Sequence, residues 1–293
     1  MLRFGIDLGG TKTEGAILDP DGSVIFRERI ATDPSSYEAV LAGIESAYRR
    51  MRGHARDAAH TLGVGTPGAV SPRTHLLKNS NTTCLNGMPL AQDLRGRLGR
   101  ELTIMNDANC FALAEALYGA GHGRRVVFGV IMGTGCGGGL VIDGQVHAGL
   151  QSIAGEWGHT SIDPNGPACY CGSRGCVETY ISGSGLEQRY ADAVDQRLAA
   201  DAIVAGWRTG DPRCTAAMDD FFSHFGRAVA NLIAVLDPDV IVLGGGLSNV
   251  DELYTRGVAE VARRVFSDSL ETQIVRNALG DSAGVIGAAL VGI

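Results

Sequence analysis

At 293 residues the chain has room for two domains of ordinary size, and a composition of 45% hydrophobic and 19% charged residues is that of a globular protein with substantial buried cores. A formal charge of −7 argues against a nucleic-acid protein, whose footprint would be basic, although backbone amides or a bound cation can still hold an anion locally. The longest apolar runs, such as "VIVLGGG" (240–246), are of strand length, so neither a membrane span nor a signal peptide is expected and the protein is placed in the cytoplasm.

In chain order, "LRFGID" (2–7) reads as a strand, "DLGGTK" (7–12) as a glycine turn and "TEGAILD" (13–19) as a second strand. "PDG" (20–22) signals a tight turn before a third strand at 23–32. Tyr37, Val40, Leu41, Ile44, Ala47, Tyr48 and Met51 then fall at helical spacing. "TLGVGTPG" (61–68) is a strand ending in Gly and Pro, and "LTIMND" (102–107) a strand feeding the helix "ANCFALAEALYG". After a glycine-rich break at 119–125 the pattern restarts, with a strand and glycine turn at 126–139 and a D-G hairpin at 139–149. A long amphipathic helix through Phe221, Phe225, Val229, Leu232 and Leu236 leads to another strand and glycine turn at 237–248.

The strand–glycine-turn–strand unit near residue 4 and again near residue 127 implies an approximate internal duplication, two related lobes facing a ligand cleft. The boundary is expected near residues 119–124. Residues 1–119, joined by a closing helix at 281–293, would form a small lobe, and residues 120–280 a large one.

Three glycine turns follow strands: "DLGGTK" (7–12), "GTGCGGG" (133–139) and "GGGLS" (244–248). Glycine lets main-chain amides point at an anion with no Cβ in the way. Thr11 and Lys12 add a hydroxyl and a cation, and Asp7 is placed to hold a hydrated Mg²⁺ against phosphates. Each turn alone is as readily structural; three on strand ends of two repeated lobes point to a nucleotide cradle. Asp107, where a strand becomes a helix, is suited to accept a hydroxyl proton during attack on a phosphoryl group; a helix N-cap is the competing reading.

His159, Cys169, Cys171 and Cys176 form an H-x9-C-x-C-x4-C set whose residue types suit a structural Zn²⁺, against a redox pair or chance clustering. Gly172 and Gly175 supply sharp turns between the thiols. Cys84, Cys110, Cys136 and Cys214 are scattered in apolar settings and read as buried thiols. Glu156 and Glu178 flank the knot. With His159 they have the right chemistry for gripping sugar hydroxyls, and the knot would then be a rigid wall of a polyol pocket.

Together these segments resemble the ROK family of sugar kinases and related repressors over essentially the whole chain: "DLGGTKTE", "GVGTPGAVSP" (63–72), "NDANC" (106–110), "GTGCGGG", "GEWGH" (155–159), "CYCGSRGCVE" (169–178) and "LDPDVIVLGGG" (236–246). The resemblance implies an α/β, actin/hexokinase/Hsp70-like ATPase fold, ATP with Mg²⁺ in the cleft, a zinc-stabilised sugar site and a homodimer. By position it implies that Asp107 is the base, and that Gly68, Asn81, Asn106, Glu156, His159 and Glu178 contact sugar. Asp7, Gly9, Gly10, Thr11 and Lys12, with Gly133, Thr134 and Gly135, would form the phosphate loops; Gly244 and Gly245 would neighbour adenosine. Within the family, 78–90 and 169–183 are most similar to bacterial fructokinases of the manno(fructo)kinase type, implying phosphorylation of fructose at its 6-hydroxyl. A kinase of N-acetylglucosamine, mannose or glucose is the alternative. Family repressors carry a helix-turn-helix ahead of the core; with the first strand read as beginning by residue 4, none is expected here. A bare ATPase of the actin or chaperone type would leave the knot without a role.

Overall fold

In the computed structural model, which describes residues 1–292, the strand–turn–strand units become two five-stranded sheets of the same plan. The first half runs β1 (Leu2–Leu8), β2 (Lys12–Leu18), β3 (Val24–Ala31), α1 (Tyr37–His54), β4 (His60–Thr66), the short β5 (Ala69–Val70) and β6 (Leu77–Lys78), α2 (Leu90–Leu98), β7 (Thr103–Asn106) and α3 (Asp107–Tyr118). The second runs β8 (Val126–Met132), β9 (Cys136–Ile142), β10 (Gln145–Val146), α4 (Glu178–Ile181), α5 (Gly183–Val194), α6 (Ala200–Arg208) and α7 (Pro212–Leu236). It ends with β11 (Val240–Gly244), α8 (Arg256–Ala262), β12 (Gln273–Arg276) and α9 (Ala283–Val291). The expected closing helix is α9; Ile293, assigned to it from the sequence, lies outside the described residues.

Sheet order is β3-β2-β1-β4-β7 in one half and β10-β9-β8-β11-β12 in the other. Each is an antiparallel meander extended by two parallel strands. The D-G hairpin forms as read: Asp143 and Gly144 both have positive φ, as the primed two-residue turn requires.

Alternation along the strands decides what each face meets. Phe4, Ile6 and Leu8 point outward beneath α1, whose Ile44, Tyr48 and Met51 are buried against them. Phe128, Val130 and Met132 do the same in the second sheet, joining a core with Phe221, Phe225 and Val229 of α7. Full burial of side chains of this size is worth about 1.5–3 kcal/mol each relative to exposure.

The inner faces carry glycine, and there each half lends its last helix to the other. α3 leaves β7 and packs on β8 and β9, while α9 leaves β12 and packs on β1 and β4. A Cβ on Gly5 would lie 2.3 Å from the Val285 carbonyl oxygen, and one on Gly129 would lie 2.8 Å from the Ala112 Cβ. The helices cross at Gly287, where a Cβ would lie 1.8 Å from the Cys110 carbonyl oxygen. The division expected at residue 119 therefore falls after a helix that rests on the second sheet. Buried Glu115, near the end of α3, accepts N–H bonds from Ala120 (2.8 Å) and Leu279 (2.9 Å), tying that helix to the connection ahead of α9. Among the described residues no helix is long and apolar enough to cross a membrane.

Candidate active site

β7 pairs in parallel with β4, Thr66 opposite Asn106, and the chain turns directly into α3. Asn106, not Asp107, is the cap. Its Oδ1 accepts from Ala108 N–H (3.0 Å) and Asn109 N–H (3.3 Å), and its amide donates to the Gly68 carbonyl (3.3 Å). Asp107 is the first helical residue, and the cap reading considered for it passes to its neighbour. Its Oδ1 accepts from Ala108 N–H at 2.8 Å. Burial outweighs that bond and, with the like charge of Glu156, raises its carboxyl to about 6.

Asp107 lies on the wall shared by two cavities. The first, of about 260 Å³, takes in every residue assigned to sugar from the sequence: Gly68, Asn81, Asn106, Glu156, His159 and Glu178 besides Asp107. Gly133, Thr134 and Gly135 close one side, and Asn79 and Tyr170, which sequence reasoning did not single out, complete it. Gly68 has φ +81° and no space for a Cβ, which would lie 2.3 Å from the Lys78 carbonyl oxygen. Glu178, first residue of α4, accepts from Cys136 N–H at 2.9 Å; a Cβ on Gly135 would lie 2.6 Å from the same carboxylate oxygen. Burial raises the carboxyl of Glu156, opposed by His159 and Lys78 and reinforced by Glu178.

The knot converges. His159, Cys169, Cys171 and Cys176 each bring one ligand atom into a group whose members all lie within 4.8 Å of one another. His159 Nδ1 is 3.6 Å from Cys169 Sγ, and Cys171 Sγ is 3.6 Å from Cys176 Sγ. Tetrahedral zinc with bonds of about 2.3 Å to sulfur and 2.0–2.1 Å to nitrogen has edges of roughly 3.5–3.8 Å, so both separations fit. The loop is held by Val177 N–H on Thr160 O (2.9 Å) and Ile162 N–H on Gly175 O (2.8 Å). The other four cysteines are free thiols, buried except for the partly exposed Cys84.

The second cavity, about 280 Å³, is lined by Asp7, Lys12, Asp107, Gly245, Ala283 and Gly284 among others. Burial, then the like charges of Asp107 and Glu14, push the Asp7 carboxyl up to about 7, an acidic pair that a cation would relieve. Asp7 and Lys12, the ends of the first glycine turn, reach this wall; Gly9, Gly10 and Thr11 form the turn beyond it, closed by Gly9 N–H on Lys12 O (2.9 Å).

A third cavity of about 650 Å³ lies beyond Gly133 and Thr134, between α5, α6 and the loop after β11. The β8–β9 turn is fixed there: Gly133 O accepts from Gly183 N–H (2.8 Å) and Thr134 O from Ser184 N–H (3.3 Å). Of the pair assigned to adenosine, Gly245 borders the second cavity, with φ +79°. Gly244 faces inward, where a Cβ would lie 2.5 Å from the Phe111 ring, and it lines none of these cavities. Gly246 and Asn249 border the second and third together. Ser184, Glu187, Val204 and Arg208, also on the third wall, carry no motif that the sequence could have shown. Three chambers thus adjoin: a polar one of monosaccharide size and a charged one that share Asp107, and one large enough for a nucleoside that meets them at Gly133, Thr134, Gly246 and Asn249.

Comparison with known proteins agrees. Residues 3–292 match the model of the ROK family. The chain is 39% identical to the N-acetyl-D-glucosamine kinase of Pasteurella multocida (strain Pm70), covering 98% of both chains. It is 36% identical to the N-acetylgalactosamine kinase AgaK of Shewanella sp. (strain ANA-3), covering 99% of this chain and 96% of that one. Among solved structures, a ROK hexokinase from Thermus thermophilus superimposes with a TM-score of 0.90 at 32% identity, covering 100% of this chain and 98% of the other. A ROK family glucokinase from Streptomyces griseus, solved with glucose and AMPPNP, gives 0.83 at 28% identity, covering 100% and 99%. Both relatives compared by sequence are named for acetamido sugars, so the fructokinase likeness of 78–90 and 169–183 is not borne out. With the family matched from residue 3 to residue 292 and the hexokinase-like fold shared along the whole chain, this protein belongs to the ROK family and is a sugar kinase.

Proposed function

We propose that the chain is an ATP-dependent kinase of N-acetylhexosamines, N-acetylglucosamine first, that phosphorylates the 6-hydroxyl with Asp107 as base. The observation that carries this reading is the position of Asp107 on the wall common to the sugar-sized and the charged cavity. The names of the relatives favour acetamido sugars over fructose. Glu156 and Glu178 accept hydrogen bonds from ring hydroxyls, Asn81 and Asn106 give and take hydrogen bonds, and the 6-hydroxyl is presented to Asp107. As that oxygen attacks the γ-phosphorus, its proton passes to the Asp107 carboxylate and the bond to the departing ADP breaks. A base tuned to about 6 is ionised at neutral pH yet basic enough to take the proton.

The nucleoside occupies the cavity between α5 and α6, and its phosphates run past Gly133, Thr134 and Gly245 toward the N-terminus of α9, whose partial positive charge favours them. Asp7 would hold a hydrated Mg²⁺, which supplies positive charge to the phosphates when bound. His159, Cys169, Cys171 and Cys176 would hold a structural zinc, and Glu156 and Glu178 stand at the two ends of the loop it fixes.

A coupled ADP-release assay tests the substrate, run at low concentrations of N-acetylglucosamine, N-acetylgalactosamine, mannose, glucose and fructose so that kcat/KM is compared. The highest value is expected for N-acetylglucosamine; a higher one for fructose overturns the choice of sugar. Elemental analysis tests the knot. About one zinc per chain is expected, with loss of sugar binding on chelation; protein that binds sugar normally without zinc refutes that role.

A further inference from the structure

Tyr170 stands between two cysteines of the knot, yet its side chain belongs to no core: it is 73% exposed. Its ring meets the His159 imidazole edge-on, centroids 5.1 Å apart at 88°, and its hydroxyl lies 3.1 Å from His159 Nε2. It also lines the sugar-sized cavity. The proposed reaction makes no use of it.

His159 has two ring nitrogens with different neighbours. Nδ1 faces Cys169 Sγ and the thiol cluster. Nε2 faces the phenol of Tyr170. When Nδ1 presents its lone pair to the cluster, a neutral imidazole carries its proton on Nε2 and donates it to the phenol oxygen. The phenol then has its own proton to give, and Glu156 and Glu178 lie on the same cavity wall. Those carboxylates, when ionised, can only accept hydrogen bonds from sugar hydroxyls and have none to give. An oxygen of the sugar that must accept needs a donor, and Tyr170, oriented by His159, is one.

We propose that Tyr170 is a sugar-contacting, specificity-determining residue: its hydroxyl, held by His159 Nε2, donates to one oxygen of the bound sugar while its ring closes that side of the cavity. This rests on reading the cavity as the sugar site and deepens that reading.

The test is Tyr170→Phe, which removes one oxygen from an exposed side chain and leaves the ring. On the sugar that the wild-type enzyme uses best, kcat/KM is expected to fall about three- to tenfold, the worth of one neutral hydrogen bond. The loss should appear in KM, with kcat changed less than about twofold, as for an interaction made equally before and during the reaction. The measurement is repeated with deoxy analogues of that sugar, one ring oxygen substituent removed at a time. The analogue lacking the contacted oxygen should be used equally well by wild type and variant. Tyr170→Ala, which also removes the ring, should narrow the preference between the best and second-best sugars. Zinc content and Tm should match wild type in both variants.

An unchanged KM in Tyr170→Phe, or a loss of the same size on the parent sugar and on every analogue, overturns the proposal. Metal loss accompanying the kinetic change reassigns Tyr170 to holding the knot and overturns it too. If the wild-type enzyme prefers fructose or glucose, the choice of N-acetylhexosamine fails on its own, and the Tyr170 comparison is made unaltered on the preferred sugar.

Discussion

The two halves of the molecule share a frame and divide the chemistry. β1 and β8 are both seven residues long, and their outward residues correspond in order: Phe4 with Phe128, Ile6 with Val130, Leu8 with Met132. So do the inner glycines that receive a crossing helix, Gly5 and Gly129. One step further along, the match ends. The first strand has Asp7 at the place where the second has Ile131. The helices diverge similarly at their first residues: α3 begins with Asp107 behind an Asn106 cap, and α9 with Ala283 and Gly284. A Cβ on Gly284 would lie 2.5 Å from an Asp7 carboxylate oxygen, so the small residue makes room for the charge opposite. A duplicated scaffold delivers two helix N-termini to one cleft. One then carries a carboxylate, the proposed base, and the other keeps its end clear for Asp7.

The largest expected effect breaks that asymmetry at its centre. Asp107→Asn should lower kcat by about 10³, within the 10²–10⁴ range for a positioned general base. The sugar dissociation constant measured by calorimetry should change less than about threefold, since Glu156 and Glu178, the proposed sugar contacts, are left in place. A variant that keeps more than about a tenth of wild-type turnover removes Asp107 from the role. The pH profile gives the same answer independently. A base with its carboxyl raised to about 6 works ionised, so wild-type kcat is full above that value and lost as pH falls through it. The residual rate of the Asn variant should show no such fall.

The shared frame can be tested at its two sockets, and the halves should respond unequally. An added methyl on Gly5 meets the Val285 carbonyl oxygen of α9 at 2.3 Å, whereas one on Gly129 meets Ala112 of α3 at 2.8 Å (Cβ) and 2.9 Å (Cα). Both meet a helix, but the overlap at Gly5 is deeper, so Gly5→Ala should cost about 3 kcal/mol and Gly129→Ala about 1–2 kcal/mol, read by denaturant unfolding. Equal costs would show that the crossing helices shift as freely in one half as in the other.

Asp7 sharpens the comparison in the opposite sense, because the charge that distinguishes it from Ile131 destabilises the empty protein. Its carboxyl is raised from 3.8 to about 7, so the folded chain holds the proton more tightly than the unfolded one. Stability from this group is complete below the unfolded value and is lost as pH rises through about 7. Asp7→Asn should therefore raise Tm in ligand-free protein near pH 8, and the gain should vanish near pH 4, while activity is lost. A Tm gain that persisted at the acid end would place its cause elsewhere than in the charge.

How much of this was legible depended on whether the signal was local. Glycine turns after strands, the helical spacing of α1 and the D-G hairpin all depend on residues within a few positions, and each formed where expected. The sugar-sized cavity was legible for a related reason: the knot, its two flanking glutamates and Asn106–Asp107 are compact motifs. The competing reading of Asp107 as a cap lies one residue off, because Asn and Asp cap equally well and only the strand register fixes where α3 begins. Gly244 looked like part of a nucleotide turn. Yet the alternation of Val240, Val242 and Gly244 already put it on the inner face, where Phe111 of a distant helix lies. The walls of the large cavity come from α5, α6 and the loop after β11, brought together only by tertiary packing, and nothing in their local sequence announces a ligand.

The smallest expected effect is a control on the sockets, because the chain also holds glycines that touch nothing. Gly43 lies within α1 on the outer face of the first sheet, and a Cβ built there meets no atom within 4 Å. With no clash to offset it, the helix propensity of alanine and the reduced freedom of the unfolded chain both favour Gly43→Ala, by about 0.5–1 kcal/mol. The same substitution thus carries opposite signs at Gly43 and Gly5, about 3 to 4 kcal/mol apart. If Gly43→Ala destabilised the protein as Gly5→Ala does, the cost at Gly5 would belong to backbone flexibility required throughout the first half. The close seating of α9 on its sheet would then lose its claim as the reason for glycine.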